Sequence, residues 1–224
     1  IVMSNQSRWL TSATGAFFAG ATLVPVDHKL RPDEQAGVLR HAKPRIIVTE
    51  WHAWRELRPH VDGLGAHVFV TGCPDGVDPE GADRWPGDAL ATVDRAETEP
   101  ATLPDVPRSS RGDVACVVYS SGTSGDVKGC MLTHGNYLAQ AESLGRLYPM
   151  RSGEVYFSIL PTNHAIDFMC GFLMPLMFGA TVLHQRTLRP EYLRYGMQRY
   201  AVTHIAVVPL LLRAFQERQD ERFD

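Results

Sequence analysis

The sequence predicts an α/β fold: alternating strands and helices, with layered, mostly parallel sheets flanked by helices. Two observations lead there. Short runs rich in Val, Ile and Phe recur along the chain, at 45–49, 67–71, 114–118 and 154–160. They are apolar on both faces, which suits strands covered from either side. Between them lie segments with apolar residues at helical spacing, several opened by proline, the residue whose missing N–H costs least at a helix start. Strands alternating with helices favour parallel pairing through crossover connections.

The elements follow in order. Ser4 or Asn5 is placed to cap a helix over about 6–19, with Trp9, Leu10, Ala13 and Phe17 on one face and Gly20 as its stop. Residues 21–26 (ATLVPV) read as a short buried strand. A helix then starts at Pro32 with Asp33 and Glu34 in its first turn, where acids complement the helix dipole. Residues 45–49 and 67–71 are the next strands. From 72 to 112 the texture changes to Pro, Gly, Asp and Glu, with one short helical stretch near 88–94; this reads as a long surface connection. Beyond it, 113–120 is a strand, 129–134 an extended piece, 135–148 a helix, 154–160 a strand and 166–178 an apolar helix. Residues 180–184 and 203–208 are strands, with helices at 190–199 and 209–218. The expected organisation is therefore 1–71 as a first α/β portion, 72–112 as the connection, and 113–224 as a second α/β portion.

Composition narrows the function classes. The hydrophobic fraction is 44% and the charged fraction 21%, as in ordinary globular proteins. A net charge of −3 offers no electrostatic footprint for nucleic acid. The longest apolar segment, 165–180, holds Asp167 and Gly171 and is too short to span a bilayer. Cys73, Cys116, Cys130 and Cys170 show no CxxC spacing; Cys116 and Cys170 sit in apolar runs and are expected to be buried reduced thiols, and a cytoplasmic location is expected. A chain beginning with Ile is expected to be a piece of a longer one.

The chemistry concentrates at residues 119–129, YSSGTSGDVKG, directly after the apolar run 114–118. Glycines let backbone N–H groups approach an anion closely, the hydroxyls of Ser120, Ser121, Thr123 and Ser124 add donors, and Lys128 adds positive charge. These are the groups a polyphosphate needs. Gly122 and Gly125 are followed by Asp-Val-Lys-Gly, which fits neither the Walker A spacing nor the dinucleotide pattern G-x-G-x-x-G.

The stretch resembles the signature of the adenylate-forming superfamily, which includes acyl-CoA synthetases, peptide-synthetase adenylation domains and luciferases. That signature is an aromatic residue, then Ser/Thr-Ser-Gly-Thr-Ser/Thr-Gly-x-Pro-Lys-Gly; here Val127 stands in place of the proline. LPTNH at 160–164 is similar to the family's Leu-Pro-x-x-His motif, and the stretches at 8–50, 171–183 and 203–215 also resemble family segments. The resemblance implies ATP-dependent activation of a carboxylic acid, most like a medium- or long-chain fatty acid, through an acyl-adenylate, followed by transfer to coenzyme A. It implies that Ser120, Ser121, Gly122, Thr123, Ser124, Gly125, Lys128 and Gly129 hold the nucleotide phosphates. Thr123 would also contact Mg²⁺, Lys128 would neutralise charge, and His164 would lie near the acyl group and orient the carboxylate. The bland alternative for His164 is a structural residue capping the next helix; His134 is expected to cap a helix, and Asp167 to face solvent or a helix N-terminus.

Two departures bear on this reading. Val127 restores backbone freedom where proline would restrict it, so the loop is expected to be less ordered. No Gly-x-Thr-Glu stretch occurs; the resemblance implies an adenine-contacting motif, a ribose aspartate and a C-terminal catalytic lysine in a remainder of the enzyme, without which the chain is expected to be inactive. Alternatives are an adenylation domain that feeds a carrier-protein thiol, and a non-catalytic binding or scaffold relative.

Overall fold

The computed structural model describes residues 1–85, 109–121, 127–185, 187–209 and 211–213, and the chain divides into two units, Ile1–Gln140 and Ala141–Asp224. The division falls inside a helix. Residues 113–140, read from the sequence with the second portion, belong to the first unit.

In the first unit, helix α1 spans Ser7–Phe18 and buries Trp9 and Ala13, two of the residues expected on its inner face. Its start differs from expectation. The N-cap is Gln6, without a side-chain cap, because the nearby polar groups serve a distant carboxylate. The Ser4 N–H and hydroxyl each donate to Glu50 at 3.0 Å, and the Gln6 amide donates to it at 2.9 Å. Segment 21–26 forms isolated parallel bridges, Leu23 to Cys116 and Val26 to Val2, rather than a continuous strand. Pro25 between them has no N–H to give a ladder.

Helix α2, Pro32–Ala42, has proline in its first turn and Asp33 and Glu34 beside it, as predicted. Glu34 accepts the Arg31 N–H at 2.9 Å. Strand β1 (Ile46–Glu50) pairs in parallel with β2 (His67–Thr71) over five registered positions, and β2 pairs in parallel with β3 (Asp83–Arg84). Between β1 and β2 lies helix α3, Trp51–Leu57, continued by a 3₁₀ turn, Arg58–His60. This helix is not among the elements expected from the sequence. Trp54, Leu57 and Val61 bury against Ile47, Val68 and Val70 to form the core of the unit. Short strand β3 lies within the predicted connection 72–112, and the helix predicted at 88–94 falls outside the described residues.

Strands β4 (Val114–Ser121) and β5 (Val127–Thr133) pair antiparallel. This hairpin is the exception to a parallel plan, since the other described ladders are all parallel. Helix α4, His134–Leu147, follows at once. Thr133 and Asn136 bond reciprocally at its start, the Thr133 N–H to Asn136 Oδ1 at 2.9 Å and the Asn136 N–H to Thr133 Oγ1 at 3.1 Å. The expected cap at His134 is therefore made by its neighbours, while its ring sits edge-on to Phe17.

In the second unit β6 (Val155–Ser158) is central, flanked in parallel by β7 (Thr181–His184) and β8 (His204–Ile205). The predicted apolar helix at 166–178 is three pieces. Helix α5 is Ala165–Asp167, Phe168–Leu173 is π-helical, and α6 is Met174–Phe178. Helix α7, Pro190–Arg199, has the predicted bounds and buries Leu193 and Gly196. Phe157, Ile159 and Leu193 form the core of this unit. The Val208 carbonyl accepts the N–H groups of Leu211 and Leu212, which begins the helix predicted from Pro209.

Candidate functional site

The glycine- and hydroxyl-rich stretch joins the two strands of the β4–β5 hairpin. Tyr119 lies opposite Gly129, Ser120 opposite Lys128 and Ser121 opposite Val127. The sequence expectation placed Val127 and Lys128 in a loop and began the extended piece at Gly129; the return strand already starts at Val127. Lys128 is therefore carried on an extended backbone, exposed, at the mouth of the hairpin. Gly122, Thr123, Ser124 and Gly125 lie outside the described residues.

The base of the hairpin is tightly built. A Cβ at Gly129 would stand 2.7 Å from Val117 Cγ1 and 3.1 Å from Tyr119 Cζ. The Tyr119 ring thus crosses directly over Gly129, and only glycine leaves it room. The Tyr119 hydroxyl lies 2.8 Å from His41 Nδ1 on the last turn of α2, and the two rings meet edge-on with centroids 5.6 Å apart. Burial pushes the Tyr119 phenol above its usual range, so the hydroxyl remains neutral and can donate. Tyr119 and Val127 also pack against the core of the unit. His41 was not singled out from the sequence: nothing in HAKPR marks a partner 78 positions away.

Below the hairpin, the Cys116 thiol is fully buried and pushed up to about 11, chiefly by desolvation. A thiol so held is a poor nucleophile, in keeping with the expected buried, reduced cysteine. Cys130 is exposed and Cys170 half-buried.

In the second unit the Leu160–His164 stretch forms a turn after β6. The His164 N–H donates to the Pro161 carbonyl at 3.0 Å, and the Phe168 N–H donates to the His164 carbonyl at 2.9 Å. His164 occupies the N-cap position of α5 through its backbone, without a side-chain cap, and is exposed. The capping role weighed for its ring is not what the ring does.

Three residues on, Asp167 is completely buried, contrary to the expectation of a solvent-facing residue, while it does lie in the first turn of α5, the helix N-terminus that was the other expectation. It accepts hydrogen bonds from Ser158 Oγ at 2.8 Å, Thr162 Oγ1 at 3.0 Å and Tyr156 OH at 3.2 Å. Desolvation raises its pKa to about 6 against the pull of those donors. A Cβ at Gly171 would stand 2.6 Å from Asp167 Oδ1, so the carboxylate rests on bare backbone one turn further along. The available signal was the spacing of Asp167 and Gly171, four apart and hence on one helical face, within an otherwise apolar run.

No group of three or more His, Cys, Asp or Glu residues among the described residues is arranged to hold a metal ion. No helix among them is long and apolar enough to cross a membrane. A cavity of about 550 Å³ in the first unit, bordered by Trp54, Arg58, Leu64, Ala66 and Glu80, holds none of the predicted site residues.

Compared with known families, residues 1–223 match the AMP-binding enzymes. The chain belongs to the AMP-binding enzyme family. Among curated relatives of the family, it is 28% identical over 232 residues to 3-[(3aS,4S,7aS)-7a-methyl-1,5-dioxo-octahydro-1H-inden-4-yl]propanoyl:CoA ligase from Rhodococcus jostii, covering 96% of this chain and 43% of the relative. It is 26% identical to 4-coumarate–CoA ligase 1 of Arabidopsis thaliana, over 100% of this chain and 40% of the relative. The chloroplastic long-chain-fatty-acid–[acyl-carrier-protein] ligase AEE15 of the same plant is also 26% identical, with 92% of this chain and 30% of the relative covered. This chain thus spans less than half the length of these relatives. Among solved structures, a long-chain-fatty-acid CoA ligase described as putative, from Rhodopseudomonas palustris, superposes with a TM-score of 0.74 at 20% identity, covering 96% of this chain and 51% of that one. A red-emitting luciferase from Phrixothrix hirtus gives 0.76 at 18%, covering 93% and 40%. These two likenesses confirm the α/β fold of the AMP-binding family.

Proposed function

We propose that a protein carrying this chain activates a carboxylic acid with ATP and passes the acyl group to coenzyme A. A carboxylate oxygen attacks the α-phosphorus, an O–P bond forms, and pyrophosphate leaves. The thiol sulfur then attacks the acyl carbon, a C–S bond forms, and AMP departs. The first step is a charge-neutralisation and positioning problem. The observation that carries the reading is the β4–β5 hairpin in a chain of the AMP-binding family, with Lys128 exposed opposite Ser120 beside a glycine- and hydroxyl-rich stretch of the sequence.

In this reading Ser120, Ser121, Gly122, Thr123, Ser124, Gly125 and Gly129 surround the β- and γ-phosphates, and Lys128 balances charge as pyrophosphate departs. ATP enters as its Mg²⁺ complex, with the Thr123 hydroxyl contacting the ion, a hard cation that favours oxygen ligands. His164 orients the carboxylate. The acid is a medium- or long-chain fatty acid, supported by the apolar helical segment at 166–178 and by the fatty-acid ligase among the relatives. That relative acts with an acyl-carrier protein, as its name states, which favours a carrier-protein thiol as the second reading for the acceptor.

The test is acid-dependent exchange of labelled pyrophosphate into ATP, run on the full-length protein with a panel from acetate to palmitate and an aromatic acid. Exchange with C8–C16 acids is the expected result. Exchange with the aromatic acid alone overturns the fatty-acid assignment, and no exchange with any acid overturns the activity. Comparing coenzyme A with a phosphopantetheinylated carrier protein as acceptor separates the two thiols.

A further inference from the structure

We propose that Asp167 is a positioning residue for His164, acting through the side chain of Thr162. The inference rests on the adenylation reading for what His164 does, and on geometry alone for what holds it.

Thr162 is 1% exposed and lies in the middle of the turn that ends at His164, and its hydroxyl donates to Asp167 Oδ2 at 3.0 Å. The same oxygen accepts Ser158 Oγ, and the other accepts Tyr156 OH, both from β6. One buried carboxylate thus ties three pieces together: the end of the central strand, the turn, and the helix start. The His164 backbone is fixed on both sides of that tie, by its N–H on Pro161 and by its carbonyl under the Phe168 N–H. The seat is shaped for the carboxylate, because a Cβ at Gly171 would fall 2.6–2.7 Å from all three of its terminal atoms. The π-helical turn begins immediately afterwards, a geometry that recurs at functional sites.

The groups that face Asp167 are Tyr156 and Ser158 on β6, Thr162 on the turn, and Cys170 on the π-helical segment. Its bonded partners among the described residues are hydroxyls. A carboxylate only accepts, so the ionised form can take all three bonds; on protonation one oxygen becomes a donor and competes with them. The tie to Thr162 is therefore strongest when Asp167 is ionised.

Three variants test the proposal: Thr162→Val, which removes the tie; Thr162→Ser, which restores it; and Asp167→Asn, which keeps an acceptor of the same size without the charge. The activity-independent readout is the rate of His164 carbethoxylation by diethyl pyrocarbonate at pH 7.5, followed by peptide mass spectrometry. The rate should rise several-fold in T162V, return to wild type in T162S, and be intermediate in D167N. In pyrophosphate exchange, kcat should fall in T162V by up to about 100-fold, the scale of a misplacement of about 1 Å. The KM for ATP should hold, and T162S should rescue. Wild-type His164 reactivity and kcat in folded T162V overturn the positioning role. If T162V fails to fold, D167N decides alone: wild-type reactivity and kcat in that variant overturn the proposal. Absence of exchange in the wild type overturns the adenylation reading, and the carbethoxylation rates then still decide whether Asp167 holds His164.

Discussion

Replacing Asp167 by Asn removes a pH dependence of stability that the buried carboxylate alone determines. In the folded protein the group titrates near 6 against an ordinary aspartate value of 3.8. At 1.36 kcal/mol per pH unit, that gap corresponds to about 3 kcal/mol. The direction follows from proton counting: between those two values the folded state holds more protons at this site than the unfolded state. Stability from this group is therefore greatest below the unfolded value, declines as pH rises through the window, and is level above about 6. Two forces oppose each other here. Desolvation disfavours the ionised carboxylate, the three hydroxyl donors favour it, and desolvation is the larger. D167N has no such dependence. Any pH-independent loss, such as an amide N–H₂ facing a hydroxyl, shifts the whole curve and leaves its slope alone. Urea unfolding of both proteins from pH 3.5 to 8 measures the difference, and the other carboxylates cancel in the subtraction. The variant should gain about 3 kcal/mol relative to wild type between pH 3.5 and 7. A flat difference, or a variant that loses ground as pH rises, would refute the reasoning, the latter because it would mean that the hydroxyls outweigh desolvation.

Other outcomes follow from the hairpin. Lys128→Ala should weaken ATP–Mg²⁺ binding by about 10- to 100-fold, the worth of one charge-assisted bond, with stability changed by less than about 0.5 kcal/mol because the side chain is exposed; calorimetry and urea titration measure the two. Gly129→Ala should destabilise by about 1–3 kcal/mol, since the added methyl meets Val117 and the Tyr119 ring at 2.7 and 3.1 Å; an unchanged denaturation midpoint would contradict that packing. Tyr119→Phe should cost about 0.5–1.5 kcal/mol for the lost bond to His41, read from the same titration.

Much of the fold was legible because its signals are local. Pro32 and Pro190 marked helix starts that the structure keeps, and the apolar runs at 45–49, 67–71 and 154–160 became the strands Ile46–Glu50, His67–Thr71 and Val155–Ser158. What stayed hidden depends on distant partners. Glu50 draws Ser4 and Gln6 away from capping α1, and WHAWREL becomes helix α3 because Trp54 and Leu57 find Ile47 and Val70. Val127 and Lys128 join a strand because β4 lies alongside them. The site divides in the same manner. Residues 119–129 were visible as a compositional pattern, and residues 160–164 through their resemblance to a family motif. The roles of His41 and Asp167 were not, because an imidazole 78 positions from its phenol has no sequence signature. A lone aspartate in an apolar run is not distinguished from one at a surface until its three hydroxyl donors are seen to converge on it.

Isotope transfer tests directly whether a carboxylate oxygen attacks the α-phosphorus of ATP. The full-length protein is supplied with ATP, Mg²⁺, coenzyme A and a fatty acid carrying ¹⁸O in both carboxylate oxygens, and the AMP formed is weighed by mass spectrometry. One ¹⁸O is expected in each AMP, left behind when the thiol takes the acyl group. Unlabelled AMP, or ADP with labelled phosphate, would contradict it.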